Sequence, residues 1–97
     1  MKRAIVVNEK DNVATLIADV SKGDVVHIRV GKHDEPIKVT QDIKFGHKFA
    51  IKPIAAKENV IKYGEVIGRA TAPIGVGEHA HIHNVESLRG RGDLKEG

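Results

Sequence analysis

Ile74-Gly75-Val76-Gly77-Glu78-His79-Ala80-His81-Ile82-His83-Asn84 opens with an apolar residue, two spacers and a glycine, then runs into an alternating segment. The same form occurs at Val20-Ser21-Lys22-Gly23-Asp24, Ile43-Lys44-Phe45-Gly46-His47 and Ile54-Ala55-Ala56-Lys57-Glu58, with lysine in the fourth place of the last. Physically this is a turn whose first residue is anchored in the core and whose fourth takes a positive φ before the chain extends again. Repeated turn-to-strand units of this kind predict a mostly β domain with long hairpins. They are too short to make a solenoid.

Beyond the turn, an extended chain points successive side chains to opposite faces. His79, His81 and His83 are therefore expected on one face of a strand, and Ala80, Ile82 and Asn84 on the other. Imidazoles spaced about 7 Å apart along a strand can supply metal ligands, a general base, or donors to a carboxylate. At that spacing one or two of them can converge on a single ion. The bland alternative is a solvated edge strand carrying neutral histidines.

Working outward to the N-terminus, Ala4-Ile5-Val6-Val7 predicts a first buried strand. Asp11 or Asn12 can cap a helix, because a short side-chain oxygen accepts from the free amides of a first turn. Val13, Leu16, Ile17 and Val20 follow at helical spacing, and Gly23 is suited to end such a helix. The pattern predicts one short N-terminal helix and no other. Residues 25–30 predict a strand, residues 31–36 a polar turn, and residues 37–40 the return strand of a hairpin. Brief strands are then expected over residues 47–51, 60–63 and 66–71, ahead of the histidine segment. The domain so defined covers residues 1–86, and the polar stretch 87–97 is expected to be a flexible tail.

Composition narrows the function. Ninety-seven residues make one small domain without room for a deep enclosed cleft, so a catalytic role calls for a partner. The aromatic residues are Phe45, Phe49 and Tyr63, which leaves few stacking platforms for single-stranded nucleic acid. The net charge of +3 is spread along the chain, which argues against nucleic acid as a partner and allows some attraction for anions. Without cysteine the chain has no disulfide, thiol chemistry or iron–sulfur ligation. The apolar run after Met1-Lys2-Arg3 is too short for a signal peptide or a membrane span, so a cytoplasmic location is expected.

Two motifs fail on context. Gly75-x-Gly77-x-x-Ala80 has the letters of a dinucleotide fingerprint, but that mechanism needs a helix N-terminus behind the turn, and a strand is expected there. Arg91-Gly92-Asp93 and the Arg89-Gly90-Arg91 cluster are read as a chance tripeptide and a solvated tail.

Three segments hold together: Phe45-Gly46-His47-Lys48-Phe49-Ala50, Ile61-Lys62-Tyr63-Gly64 with Ile67-Gly68, and Gly77-Glu78-His79-Ala80-His81-Ile82-His83-Asn84. In this order they resemble the SAF-type domain that opens altronate and galactarate dehydratases and also occurs as a separate small subunit. The likeness runs from Asp11 to Glu86. It implies a β-clip (SAF-like) fold, which with the residue pattern gives the expected class: mostly β, with one short N-terminal helix. It also implies a role in a lyase that removes water from a sugar acid of hexuronate catabolism to give a 2-keto-3-deoxy acid. A divalent metal, iron or manganese, comes with the resemblance, bound by this chain or mainly by a larger one. The large catalytic domain of such enzymes is absent, so the chain resembles the detached small subunit of a hetero-oligomer. A homo-oligomer is also compatible.

Dehydration of an aldonate needs a base for the proton beside the carboxylate, an acid for the departing hydroxyl, and positive charge on the developing enediolate. Within the resemblance, His81 and His83 are candidates for proton transfer, and His79, His81 and His83 for metal ligands. His47, Lys48, Lys62, Tyr63 and Asn84 are candidates for holding the substrate carboxylate and hydroxyls, although Asn84 is expected on the opposite strand face. The neighbouring possibility is the alpha subunit of a sulfolactate sulfo-lyase, which shares the His-x-His-Asn ending and expels sulfite. A third is a non-catalytic sugar-acid-binding module.

Overall fold

A computed structural model describes residues 2–87. All four turn units form, and each is built as its residues require. The first residue of each, Val20, Ile43, Ile54 and Ile74, is buried. The fourth residues, Gly23, Gly46, Lys57 and Gly77, have φ of 93°, 86°, 74° and 87°. The amide of each fifth residue donates to the carbonyl of the second at 2.9–3.0 Å. In three units the fifth residue also accepts from the second residue's amide: Asp24 from Ser21, Glu58 from Ala55 and Glu78 from Gly75.

The units act in reciprocal pairs. Val20 and Ile43 exchange both backbone hydrogen bonds, and so do Ile54 and Ile74. Gly23 and Asp24 clasp Val39, just ahead of Ile43, while Gly46 and His47 clasp Leu16, just ahead of Val20. The second pair repeats the device, with Lys57 and Glu58 on Ala70 and with Gly77 and Glu78 on Ala50. Each pair organises its own apolar cluster. Val20, Ile43, Leu16 and Val39 pack with Val26, Ile28 and Phe49. Ile54, Ile74, Ala50 and Ala70 pack with Val13, Val60 and Ala80. Fully burying a Val or Ile anchor stabilises by about 1.5–3 kcal/mol, so the anchors hold turns that their short spans alone would not.

Among the described residues nine strands connect these turns: β1 Lys2–Ile5, β2 Val13–Leu16, β3 Val25–Val30, β4 His33–Lys38, β5 Lys48–Ala50, β6 Asn59–Lys62, β7 Glu65–Ala70, β8 His79–Ala80 and β9 Val85–Ser87. The larger sheet has the order β4-β3-β1-β2-β5-β8, and the smaller β6-β7-β9. The β1–β3 pair is parallel, and the others are antiparallel.

The mostly β reading holds, but the expected N-terminal helix does not exist: the described residues contain no helix. Residues 13–16 form β2 instead, between β1 and β5. Val13, Ala14 and Leu16 are all buried, Val13 in the second cluster and the other two in the first. An amphipathic helix would offer one stripe to one cluster, whereas an extended segment feeds both, and tertiary burial outweighs the weak local propensity. The supposed cap residues are also spent elsewhere. Asp11 accepts from Val7, Asn8 and Gly64, and Asn12 bonds Asn59 and Ile61.

Other boundaries shift. The first strand is Lys2–Ile5 rather than 4–7, and the polar turn 31–36 shrinks to Gly31-Lys32, since Val30 pairs with His33. Pro36 thus lies within β4, which tolerates it because β4 ends the sheet. β9 runs to Ser87, one residue past the boundary expected at 86. Residues 88–97, with the Arg-Gly tail motifs, lie outside the described residues. No helix among the described residues is long and apolar enough to cross a membrane.

Candidate functional site: a cluster of imidazoles and lysines

The expected histidine strand stops after two residues. His79 and Ala80 pair with Phe49 and Lys48, and the chain then turns through His81–Asn84 before β9. The reason is Asn84. It is buried, its Oδ1 accepts from the His81 amide at 2.9 Å, and its Nδ2 donates to the His79 carbonyl at 2.8 Å. The amides of Asn84 and Val85 both donate to the His81 carbonyl. These bonds offer the backbone a tight turn in place of continued pairing. The imidazoles therefore do not form a row on one strand face.

They form a cluster instead, with His79 at its centre and His47 joining from the turn before β5. The turn that ends in His47 leads straight into β5, and β5 pairs with β8, so the rings of His47 and His79 meet. His47 Nδ1 lies 3.0 Å from His79 Nε2. The His47 and His81 centroids are 4.5 Å apart, and His79 stacks on His81 at 5.3 Å with an interplanar angle of 10°. His83 is exposed and approaches His79 at 5.3 Å. His47, His79 and His81 each offer a ring nitrogen, and these atoms lie within 4.8 Å of one another.

The lysines flank this cluster. Lys48 and Lys62, from β5 and β6, line a cleft of about 290 Å³ with His81, Ile67, Ala80, Ile82, Val85 and Ser87. Lys62 Nζ sits 4.9 Å from the centre of the Tyr63 ring, a cation–π contact, and both residues line an adjoining hollow. The local field is positive. Burial, and then the charge of Lys62, push the Lys48 ammonium pKa down. Burial, followed by repulsion from His47, His81, His83 and Lys48, lowers His79 to about 4. Burial lowers His81 too, with His47, Lys48 and His83 adding to it. At neutral pH the His79 imidazole is uncharged and offers a lone pair.

The structure therefore brings together His47, His79, His81, Lys48 and Lys62, with Tyr63 and His83 at the margins. Asn84 shapes the turn through the bonds just described. Sequence reasoning passed over Ile67, Ile82, Val85 and Ser87, whose apolar or small side chains carry no chemical signal. It also misassigned Asp11 and Asn12, which fix the position of Lys62. Asp11 Oδ1 accepts from Gly64 at 2.7 Å, in the Tyr63-Gly64 turn between β6 and β7, and Asn12 Oδ1 accepts from Ile61 at 2.7 Å. Their partners lie roughly fifty residues away, beyond any local pattern.

The fold and site define a small β domain with a cleft lined by Lys48, Lys62 and His81 beside a cluster of imidazoles. Residues 2–88 match the model of the altronate/galactarate dehydratase SAF domain, and the chain belongs to that family. It is 38% identical over 87 residues to an altronate dehydratase of Bacillus subtilis (strain 168), covering 90% of this chain and 17% of that protein. It is 41% identical over 83 residues to an altronate dehydratase of Escherichia coli (strain K12), covering 86% of this chain and 16% of that protein. It is also 36% identical over 88 residues to the (2R)-sulfolactate sulfo-lyase subunit alpha of Chromohalobacter salexigens, covering 87% of this chain and 94% of that subunit. The chain thus spans about one-sixth of the altronate dehydratases and nearly all of the sulfo-lyase subunit.

Proposed function

We propose that the chain is the small component of a sugar-acid dehydratase of the altronate/galactarate type, and that it completes an active centre begun by a separate, larger catalytic polypeptide. The observation that carries this reading is the cleft in which Lys48, Lys62 and His81 face common space. Two ammonium groups there suit a carboxylate, and an imidazole beside them suits proton transfer. A cleft open on one side leaves the rest of the substrate to a partner.

In this reading Lys48 and Lys62 hold the substrate carboxylate, and Tyr63 lies within reach of its hydroxyls. A base takes the proton from the carbon next to the carboxylate, the electron pair forms the carbon–carbon double bond, and the neighbouring hydroxyl leaves as water after protonation. The enol then becomes the 2-keto-3-deoxy acid. His81 and His83 are the proton-transfer candidates on this chain. The divalent metal that the family resemblance implies would supply positive charge to the developing enediolate when bound. Imidazole nitrogens from His47, His79 and His81 suit an iron-type ion better than manganese.

A second reading has an observation of its own, the near-complete match to a sulfo-lyase alpha subunit. There the same cleft would hold sulfolactate, and sulfite would be the leaving group. The test covers both. The chain, combined with a candidate large catalytic polypeptide of the altronate/galactarate dehydratase type, is assayed on altronate, galactarate and sulfolactate. Turnover of a sugar acid by the pair, and by neither chain alone, is expected. Turnover by the 97-residue chain alone would overturn the division of labour, and turnover of sulfolactate only would select the second reading. A binding module without catalysis is the reading left if His81→Ala and His83→Ala leave the pair's turnover unchanged.

A further inference from the structure

We propose that a second anion site lies in the hollow walled by Lys10, Lys52 and Lys57, and that it takes a small phosphate-bearing molecule. The inference does not use the lyase reading, and no residue of this hollow lines the cleft of Lys48, Lys62 and His81.

It begins with the turn unit at residues 54–58. Three of the four units have glycine at the position of positive φ, where glycine carries no steric cost. The remaining unit has Lys57 there, at φ 74°. An L side chain in the left-handed region is strained, and strain of that kind is kept where the side chain has a use. The turn itself does not use it. The Lys57 backbone amide makes the clasp on Ala70, and Glu58 completes the unit by accepting from the Ala55 amide. The Lys57 ammonium is left for the hollow.

Two further lysines reach the same space from other segments, Lys10 from the loop between β1 and β2 and Lys52 from the segment after β5. Lys52 Nζ donates to the Glu9 carbonyl at 2.8 Å, which ties it to the loop that carries Lys10 and leaves two of its three donors. Asn12 steadies the wall, because its side chain bonds the Asn59 carbonyl at 2.9 Å and the Ile61 amide at 2.7 Å. Glu58, the carboxylate on the wall, is occupied by the Ala55 amide. Among the described residues none of the three lysines forms an ion pair.

Three ammonium groups from separate segments, none paired with an acid, attract a compact oxyanion, and a phosphoryl group offers them several acceptors at once. The hollow, of about 510 Å³, has the size of a small-molecule site, for which about 300–1,000 Å³ is usual. Pro53 and Ile61 are its apolar lining residues and no aromatic ring lines it, so charge rather than stacking on a base selects the ligand.

The test is a titration of the 97-residue chain with pyrophosphate, and separately with inorganic phosphate, at fixed ionic strength and followed by backbone amide NMR. Saturable shifts centred on Lys57, Glu58 and Asn59 are expected, with pyrophosphate bound more tightly than phosphate. Lys57→Gly removes the ammonium and relieves the strain, so the fold is retained. That change, Lys10→Ala and Lys52→Ala should each weaken pyrophosphate binding by about three- to fivefold. Lys57→Arg keeps the charge, and Lys44→Ala removes an exposed charge from another turn unit, so each should alter binding by less than about twofold. Shifts that do not saturate, or that are confined to Lys48 and His81, would overturn the site. So would parent-like binding in Lys57→Gly, or equal losses in Lys44→Ala and Lys57→Gly. A hexaglutamate peptide that bound more tightly than pyrophosphate would assign the hollow to an acidic protein segment and overturn the phosphate ligand.

Discussion

The Nδ1 atom of His47 and the Nε2 atom of His79 lie 3.0 Å apart, across 32 residues of chain. One nitrogen donates and the other accepts, so the pair tolerates one proton between the rings and resists a second. Protonating His79 would add a positive charge beside His47, His81, His83 and Lys48, and burial withholds the water that would soften it.

Its pKa falls from the ordinary 6.5 to about 4 on folding, so between those values the unfolded chain binds more protons at this position than the folded one. The contribution of this group to stability is therefore complete above pH 6.5 and declines as the pH falls towards 4. Urea unfolding of the metal-free chain across that window should show declining stability, and the decline should be shallower in His79→Gln. An identical pH profile in the variant would remove His79 as the cause.

Asp11 is predicted to be a stability determinant with a lower pH window. Burial raises its carboxyl pKa, but amides of Gly64, Val7, Asn8 and Tyr63 together outweigh that and hold it below the ordinary 3.8. Its stabilisation is present above that value and is lost as the pH falls through the folded pKa. At neutral pH Asp11→Asn puts an amide donor against backbone donors and should cost about 1–3 kcal/mol by urea denaturation. If the chain acts in the proposed lyase, the same change should raise the KM of the assembled pair, because the turn beside Lys62 loosens. In a Lys62→Ala background that increment in KM should vanish while the stability loss remains.

Asn84→Ala removes a buried amide bonded to both His79 and His81, and should destabilise by about 1–3 kcal/mol through the unsatisfied groups it leaves. Thermal unfolding checks this, and an Asn84→Ala variant as stable as the parent would remove the turn as a stability determinant.

The turn units predict opposite outcomes at equivalent places. A Cβ at Gly77 would lie 2.2 Å from the Lys38 carbonyl oxygen, so Gly77→Ala should prevent folding. At Gly23 a Cβ meets nothing within 4 Å, and Gly23→Ala should cost only the left-handed penalty, about 1–2 kcal/mol. Lys57 already bears that penalty at φ 74°, so Lys57→Gly should be neutral or stabilising by up to about 1 kcal/mol in thermal unfolding.

The amino-acid order alone determined the four turn units, because an anchored apolar residue and a fourth position free for positive φ are local properties readable within five residues. It also determined the chemical types at the site, since histidine and lysine keep their chemistry wherever they lie. Tertiary structure decided how those pieces were used. Residues 13–16 became a strand because two separate clusters drew on alternate side chains, a demand invisible in a pattern that fits a helix equally well. His47 joined His79 and His81, and Asp11 reached Gly64, through pairings between distant segments. Contacts of that kind depend on which strands lie side by side, and that is settled by burial over the whole chain.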